Sequence, residues 1–349
     1  MEIQHHLVQT RGTSVQARHE LALNHSKLAE ASEAVEHRAE AIAHARQSLT
    51  LLSELLAEVP EDRRIFHDCF YQYHQLCDLF RKSGENVDAL AHTRKAIALM
   101  KPHIQKADAT ESGEMLYNDH QRFALMLREV GDLEDALQHY VRALNLAQET
   151  AVKAPNDFDV KYVQSDIHRG IAITLTRKKD FPGALEHYQR GHEIMASLSQ
   201  LDPANIRLLH RLSQSHGNIA DAFALVNDNA QAQNHLRQAV AMEETLIAKV
   251  PSRSPISLAD RLKALADTVR SNGNYQDALN YYEQALRVME PMVAQPPTDK
   301  LARRRLGIYH AYIGLCQLKL GKTEAAKEPL NLMLQVREEL RAADRGKPT

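Results

Sequence analysis

Nineteen histidines among 349 residues are the first chemistry this sequence offers. Imidazole ligates transition metals and titrates near neutral pH, so such a set invites a metal centre or a pH sensor. The densest ligand-type stretch is His67-Asp-Cys69-Phe-Tyr-Gln-Tyr-His74-Gln-Leu-Cys77. On a helix His74 and Cys77 share a face, while His67 lies two turns away and Cys69 points elsewhere. Two ligands do not make a zinc site, so the stretch reads as a packed helix face. Gly321-Lys322-Thr323 looks like the end of a phosphate-binding loop, but the position that loop needs as its first glycine is Cys316. The segment also follows no strand, so no phosphate cradle forms. His-Glu-x-x-His and Gly-x-Ser-x-Gly do not occur. The sequence therefore predicts no catalytic residue, no metal site and no cofactor: not an enzyme.

The bulk composition says what kind of scaffold must carry these side chains. Ala, Leu, Glu, Gln and Arg dominate, Gly and Pro number only 13 and 12, and there is no Trp. These are helix formers, and the class is all-α. A formal net charge of −2 gives no electrostatic case for nucleic acid or an anionic membrane. Cys69, Cys77 and Cys316 are too few and scattered for a disulfide framework. No apolar run approaches a membrane span, and the first twenty residues lack the apolar region of a secretory signal. The expectation is a soluble, cytoplasmic protein.

Aligned on one alanine, the chain gives seven registers: Ala41, Ala89, Ala136, Ala184, Ala232, Ala278 and Ala326, in steps of 48, 47, 48, 48, 46 and 48 residues. A fixed period of this kind marks stacked repeats. Five positions upstream stand Gly84, Gly131, Gly273 and Gly321, with Lys179 and Asn227 in two units. Gly and Asn tolerate the left-handed backbone that ends a helix, so these positions mark tight helix–helix turns. Seven positions after the alanine come Ala96, Ala143, Gly191, Ala239 and Ala285. Two small residues two turns apart on one face let helices approach closely. Before the turn, large–small pairs such as Phe123-Ala124, Ile171-Ala172 and Ile219-Ala220 recur. Each unit is thus a helix, a short turn and a second helix.

That pattern, seen in "GDLEDALQHYVRAL" at 131–144 and "GNYQDALNYYEQAL" at 273–286, resembles the tetratricopeptide repeat over residues 21–343. The family's Trp near the start of the first helix is replaced by His25, Tyr73, His120, His168, His216, Leu262 and His310. The period exceeds the usual one of about 34 residues. Pro60, Pro155, Pro203, Pro251 and Pro297 each fall 19 residues after their alanine. Proline disfavours helix in the residue before it, so the second helix ends there, about two turns longer than usual. The first helix must lengthen to match. The resemblance implies a right-handed α-α superhelix of about seven antiparallel helix pairs. "LSQSHGNIADAF" at 212–223 is also similar to arrays that follow the catalytic domain of some bacterial Ser/Thr kinases, although no kinase motif is present.

The ends carry less of the pattern. Residues 1–20 read as a polar segment and 344–349 as a disordered tail. The first register has Glu36-His37-Arg38 at its turn, which leaves residues 14–58 as either a hairpin or one long helix. Pro329 falls three residues past its alanine, where a first helical turn would tolerate it.

Register also explains most of the histidines. Five occupy the first-helix slot, and His44, His92, His139, His187 and His235 stand three positions past each alanine. Successive units place such groups about 10 Å apart, a helix diameter, too far to share one ion. Their roles read as structural, with acid sensitivity as the functional possibility.

In the resembled family the first helices line a concave surface, and ligand contacts come from fixed positions on them. Carried over unit by unit, these are Tyr71, His74, Asp78 and Arg81, then Asn118, Gln121 and Arg128. The fourth unit supplies Asp166, Arg169 and Arg177, the fifth Gln214 and Asp221, and the sixth Asp260, Lys263, Asp267 and Arg270. The mixed charge suits a mixed-charge peptide or protein segment through charge-assisted bonds. The expected role is a non-catalytic adaptor binding a protein partner, with no small-molecule substrate. The other reading is the regulatory array of a bacterial signalling system.

Overall fold

Proline stops one helix and an aspartate or asparagine starts the next. The computed structural model describes residues 14–34, 37–110, 113–293 and 300–345; among these, helices, turns and bends occur and no strand. The helices are α1 (Val15–Ala34), α2 (Arg38–Glu58), α3 (Arg63–Lys82), α4 (Asn86–Thr110), α5 (Glu114–Val130), α6 (Leu133–Lys153) and α7 (Phe158–Arg177). They continue as α8 (Phe181–Leu201), α9 (Ile206–Leu225), α10 (Asn229–Lys249), α11 (Ile256–Ser271), α12 (Tyr275–Val293), α13 (Lys300–Lys319) and α14 (Thr323–Arg345).

Helices α2, α6, α8 and α10 end two residues before Pro60, Pro155, Pro203 and Pro251, as the repeat register predicts. Two residues after three of these prolines, Asp62, Asp157 and Asn205 cap α3, α7 and α9, each accepting two backbone N–H groups. Pro297 lies outside the described residues. The inner turns also follow prediction: Gly84, Gly131, Gly273 and Gly321 have positive φ, and so do Lys179 (65°) and Asn227 (62°).

Contacts divide the chain into two compact units, Met1–Pro155 and Asn156–Thr349. In the first, α1 pairs with α2, α3 with α4 and α5 with α6. In the second, α7 to α14 pair in the same way, and in both units each pair leans on the next. The open choice at the first register resolves as a hairpin, since α1 and α2 are separate helices packed together. Glu36 itself is outside the described residues. Helix α1 begins at Val15, within the segment read as polar, and α14 runs to Arg345, two residues into the stretch expected to be a disordered tail. Pro329 also departs from expectation: it is the seventh residue of α14, beyond the first turn, and so removes one intrahelical hydrogen bond.

The small residues do the work their spacing suggests. All seven register alanines are buried, at 0–5% exposure. At the equivalent later slot, a Cβ on Gly191 would stand 3.1 Å from the Ser165 carbonyl oxygen, so α7 and α8 cross there at backbone distance. The Ser165 hydroxyl donates to the Gly191 carbonyl at 2.7 Å across that crossing.

Candidate functional site

The polar slots of the first helices are tied to one another one period apart. On α9, Arg211 Nε donates to the Tyr162 hydroxyl at 2.6 Å and its Nη2 to Asp166 Oδ2 at 3.1 Å, both on α7. Asp166 Oδ1 also accepts from Arg169 Nη2 at 3.3 Å. Arg211 Nη1 donates to Gln214 at 3.4 Å, while the Arg207 and Arg211 guanidinium groups lie over the Tyr162 ring. The cleft beside this network is lined by Asp166, Arg169, Tyr188, His192, Arg211, Gln214 and Asn218, among others. Three sequence-predicted residues, Asp166, Arg169 and Gln214, therefore share one cleft. Arg211 and Tyr162 fall outside the slots carried over from the family; the signal for them is complementary chemistry 45 and 49 residues apart.

A second group joins α11, α12 and α13. Asp260 receives Arg305 in a bidentate pair at 3.2 and 3.1 Å. Lys263 Nζ donates to Asp267 at 2.6 Å, and Arg270 Nε to the Tyr282 hydroxyl at 3.1 Å. Lys263 and Arg270 both face the Tyr312 ring, which stacks on Tyr282. Burial, then the hydrogen bond to Asp267, pushes the Tyr282 phenol well above its ordinary range, so it stays protonated and donates to Asp267. Arg177 and Asp221 are exposed.

In the first unit, the Tyr71 hydroxyl donates to Glu30 at 2.8 Å. Arg81 pairs with Asp78 at 3.3 Å and stands 4.0 Å from Glu129 on α5. His74 lies 3.8 Å from Asp78, and burial lowers its imidazole below the usual histidine value. Asn118 and Gln121 are half-buried on α5. Arg128 departs from the reading that a polar residue at these slots faces outward. It is 7% exposed and donates to the Tyr140 hydroxyl at 3.3 Å, bracing its own hairpin. Arg270 and Tyr282 repeat that brace at the same separation of twelve residues.

The histidines require a larger correction. The two slots of one unit face each other across its turn. Nδ1–Nδ1 distances are 3.1 Å for His25–His44, 2.8 Å for His120–His139, 3.0 Å for His168–His187 and 2.9 Å for His216–His235. Burial is the main cause that drives His168 down to about 4 and His216 to about 3. His192, packed on both His216 and His235, falls to about 4 for the same reason. The ligand-rich stretch of α3 also divides. Cys69 and Cys77 are buried thiols beside Ser53 and Thr93, His74 turns to Asp78, and His67 turns to Asp119 on α5.

Antiparallel helix pairs at a 48-residue period, with their polar slots linked along the first helices, define a stacked helix-hairpin repeat protein. Residues 262–292 match the tetratricopeptide repeat family, and the chain is a tetratricopeptide-like repeat protein in fold. No curated protein sequence matches the chain. Among solved structures it is similar to BtubC (BKLC) from P. vanneervenii, with 19% identity and a TM-score of 0.55 over 74% of this chain and 93% of that one. It is also similar to the C-terminal part of a TPR repeat-containing protein from Cytophaga hutchinsonii, with 15% identity and a TM-score of 0.49 over 92% and 99%. Among the described residues no helix is long and apolar enough to cross a membrane.

Proposed function

We propose that this chain is a non-catalytic interaction module that holds an extended, mixed-charge protein segment against α7 and α9. The observation that carries the reading is the cleft where Asp166, Arg169, Arg211 and Gln214 converge. Its charged groups come from two repeats and are cross-braced, so their geometry is set before a ligand arrives; preorganisation of this kind lowers the entropic cost of binding. Arg169 keeps a side chain 41% exposed beside Asp166, which offers N–H groups to an acidic residue of the segment. Asp166 in turn favours a basic neighbour in that segment. The acid-plus-base pairing sets the register of the bound chain.

Panning a random peptide library against the full chain tests this. Peptides enriched by the wild type should carry adjacent acidic and basic residues and lose about tenfold or more in affinity to Arg169→Glu, the scale of one charge-assisted hydrogen bond. Lys327→Glu, at an exposed position on α14, should bind them unchanged. Equal binding by both variants would remove the cleft from consideration.

A further inference from the structure

We propose that His67, His103 and Asp119 form a site for a divalent transition-metal ion of the zinc class, pinning α5 to the α3–α4 hairpin. Asp119 is 1% exposed, and neither of its carboxylate oxygens accepts a hydrogen bond. A carboxylate removed from water in this way needs a cationic partner with good geometry. What faces it is a pair of imidazoles. His67 Nδ1 stands 3.5 Å from Oδ1, and His103 Nε2 stands 3.4 Å from Oδ2. One ligand atom from each of the three residues lies within 4.8 Å of the others.

Those separations are long for hydrogen bonds but suit ligands around an ion. Zinc bonds of 2.0–2.1 Å arranged tetrahedrally set ligand atoms about 3.3 Å apart. Both rings are held in place by Phe66, which stacks on His103 at 3.9 Å and meets His67 edge-on at 5.5 Å. The two imidazoles are about a fifth exposed, so an ion can enter from solvent and keep a water as its fourth ligand. The two imidazole nitrogens are borderline donors beside one hard carboxylate oxygen, a set that favours zinc-class ions over the all-oxygen sites of calcium or magnesium. Arg63 Nη2, 4.0 Å from Oδ2, is the competing cation. The alternative it offers is a metal-independent buried ion cluster. The three ligands come from three helices, 36 and 16 residues apart, and no short motif contains them. The site thus goes beyond the sequence expectation of no metal.

Zinc chloride is titrated into the metal-stripped full chain at pH 7.5 against a chromophoric chelator. The expected result is one tight zinc per chain, with at least tenfold weaker binding in His67→Gln and in His103→Gln; both variants leave the four histidine pairs intact. Unchanged affinity in both overturns the proposal. An anomalous difference map from wild-type crystals grown with zinc chloride gives a readout that needs no variant. A peak between His67, His103 and Asp119 supports the site. Peaks only at the histidine pairs, or none, overturn it in favour of the ion cluster with Arg63.

Discussion

His120 and His139 meet Nδ1 to Nδ1 at 2.8 Å across the α5–α6 turn, nineteen residues apart. Such a contact has one proton: one ring donates from Nδ1 and the other accepts with its lone pair. Protonating both rings leaves two N–H groups pointed at each other. The pair is stable while one ring remains neutral, and three other repeats reproduce it.

Acid should therefore loosen the array. His168, His192 and His216 titrate in the folded chain at about 4, about 4 and about 3, below the ordinary 6.5 of the unfolded chain. Beside His168 stand His187 and Arg190, and beside His216 stand His192 and His235; all of these oppose a further positive charge. Because the folded values are depressed, stability is complete above pH 6.5 and falls as pH drops toward 4. At pH 5.5 each of the three costs on the order of 1 kcal/mol, and the Tm of the second unit should be several degrees lower than at pH 8. A Tm unchanged across that interval would show that the rings are not buried as neutral groups.

The turn at Lys179 offers the opposite sign. Its φ of 65° is a conformation that four other units give to glycine. An L side chain there costs roughly 1 kcal/mol, so Lys179→Gly should raise the unfolding free energy of the second unit, read from urea titration, by about that amount. Gly131→Ala, at φ 94°, should lower that of the first unit by a similar amount. A destabilised Lys179→Gly chain would mean that the lysine side chain contributes more than its backbone costs.

Caps give a third check. Asp157 accepts the Asp159 and Val160 N–H groups at the start of α7, at 2.9 and 3.2 Å. Asp157→Ala should cost about 1 kcal/mol, and Asp157→Asn much less, because asparagine caps nearly as well. Equal losses would point to the charge rather than the hydrogen bonds.

The register was legible because it rests on backbone demands. Only Gly, Asn or a strained residue suits the turn, only small residues suit the crossing, and the periodic prolines Pro60, Pro155, Pro203 and Pro251 each follow the end of a helix. Ala136 and Gly131 declare themselves from their own types. The histidine pairs did not, because the relevant separation runs across the turn within a unit, and a search by period compares like with like between units. Arg128 shows the complementary failure. Its polarity suggested an outward slot, but the Tyr140 hydroxyl lets the guanidinium lie buried. The His67–His103–Asp119 cluster joins three helices at unrelated separations, and packing alone reveals it.

The cleft on α7 and α9 rests on a buried charge behind it, and that dependence yields the last prediction. Glu243 on α10 is 1% exposed, and the Ser213 hydroxyl donates to it at 2.7 Å. Arg253 Nη2 reaches its other oxygen at 3.3 Å and His210 Nδ1 at 2.7 Å, while His210 Nε2 stands 3.0 Å from Gln214 Nε2. Removing the guanidinium strands a buried carboxylate, so Arg253→Met should cost about 3–5 kcal/mol in the second unit. Adding Glu243→Gln removes the stranded charge while leaving an amide oxygen for Ser213, so the double variant should recover at least about 1 kcal/mol. Peptide affinity discriminates further, because His210 no longer has its Arg253 contact and Gln214 loses a fixed neighbour. The double variant should fold yet bind the selected peptides more weakly than wild type. Purely additive stabilities with unchanged binding would show that Glu243 and the cleft are independent.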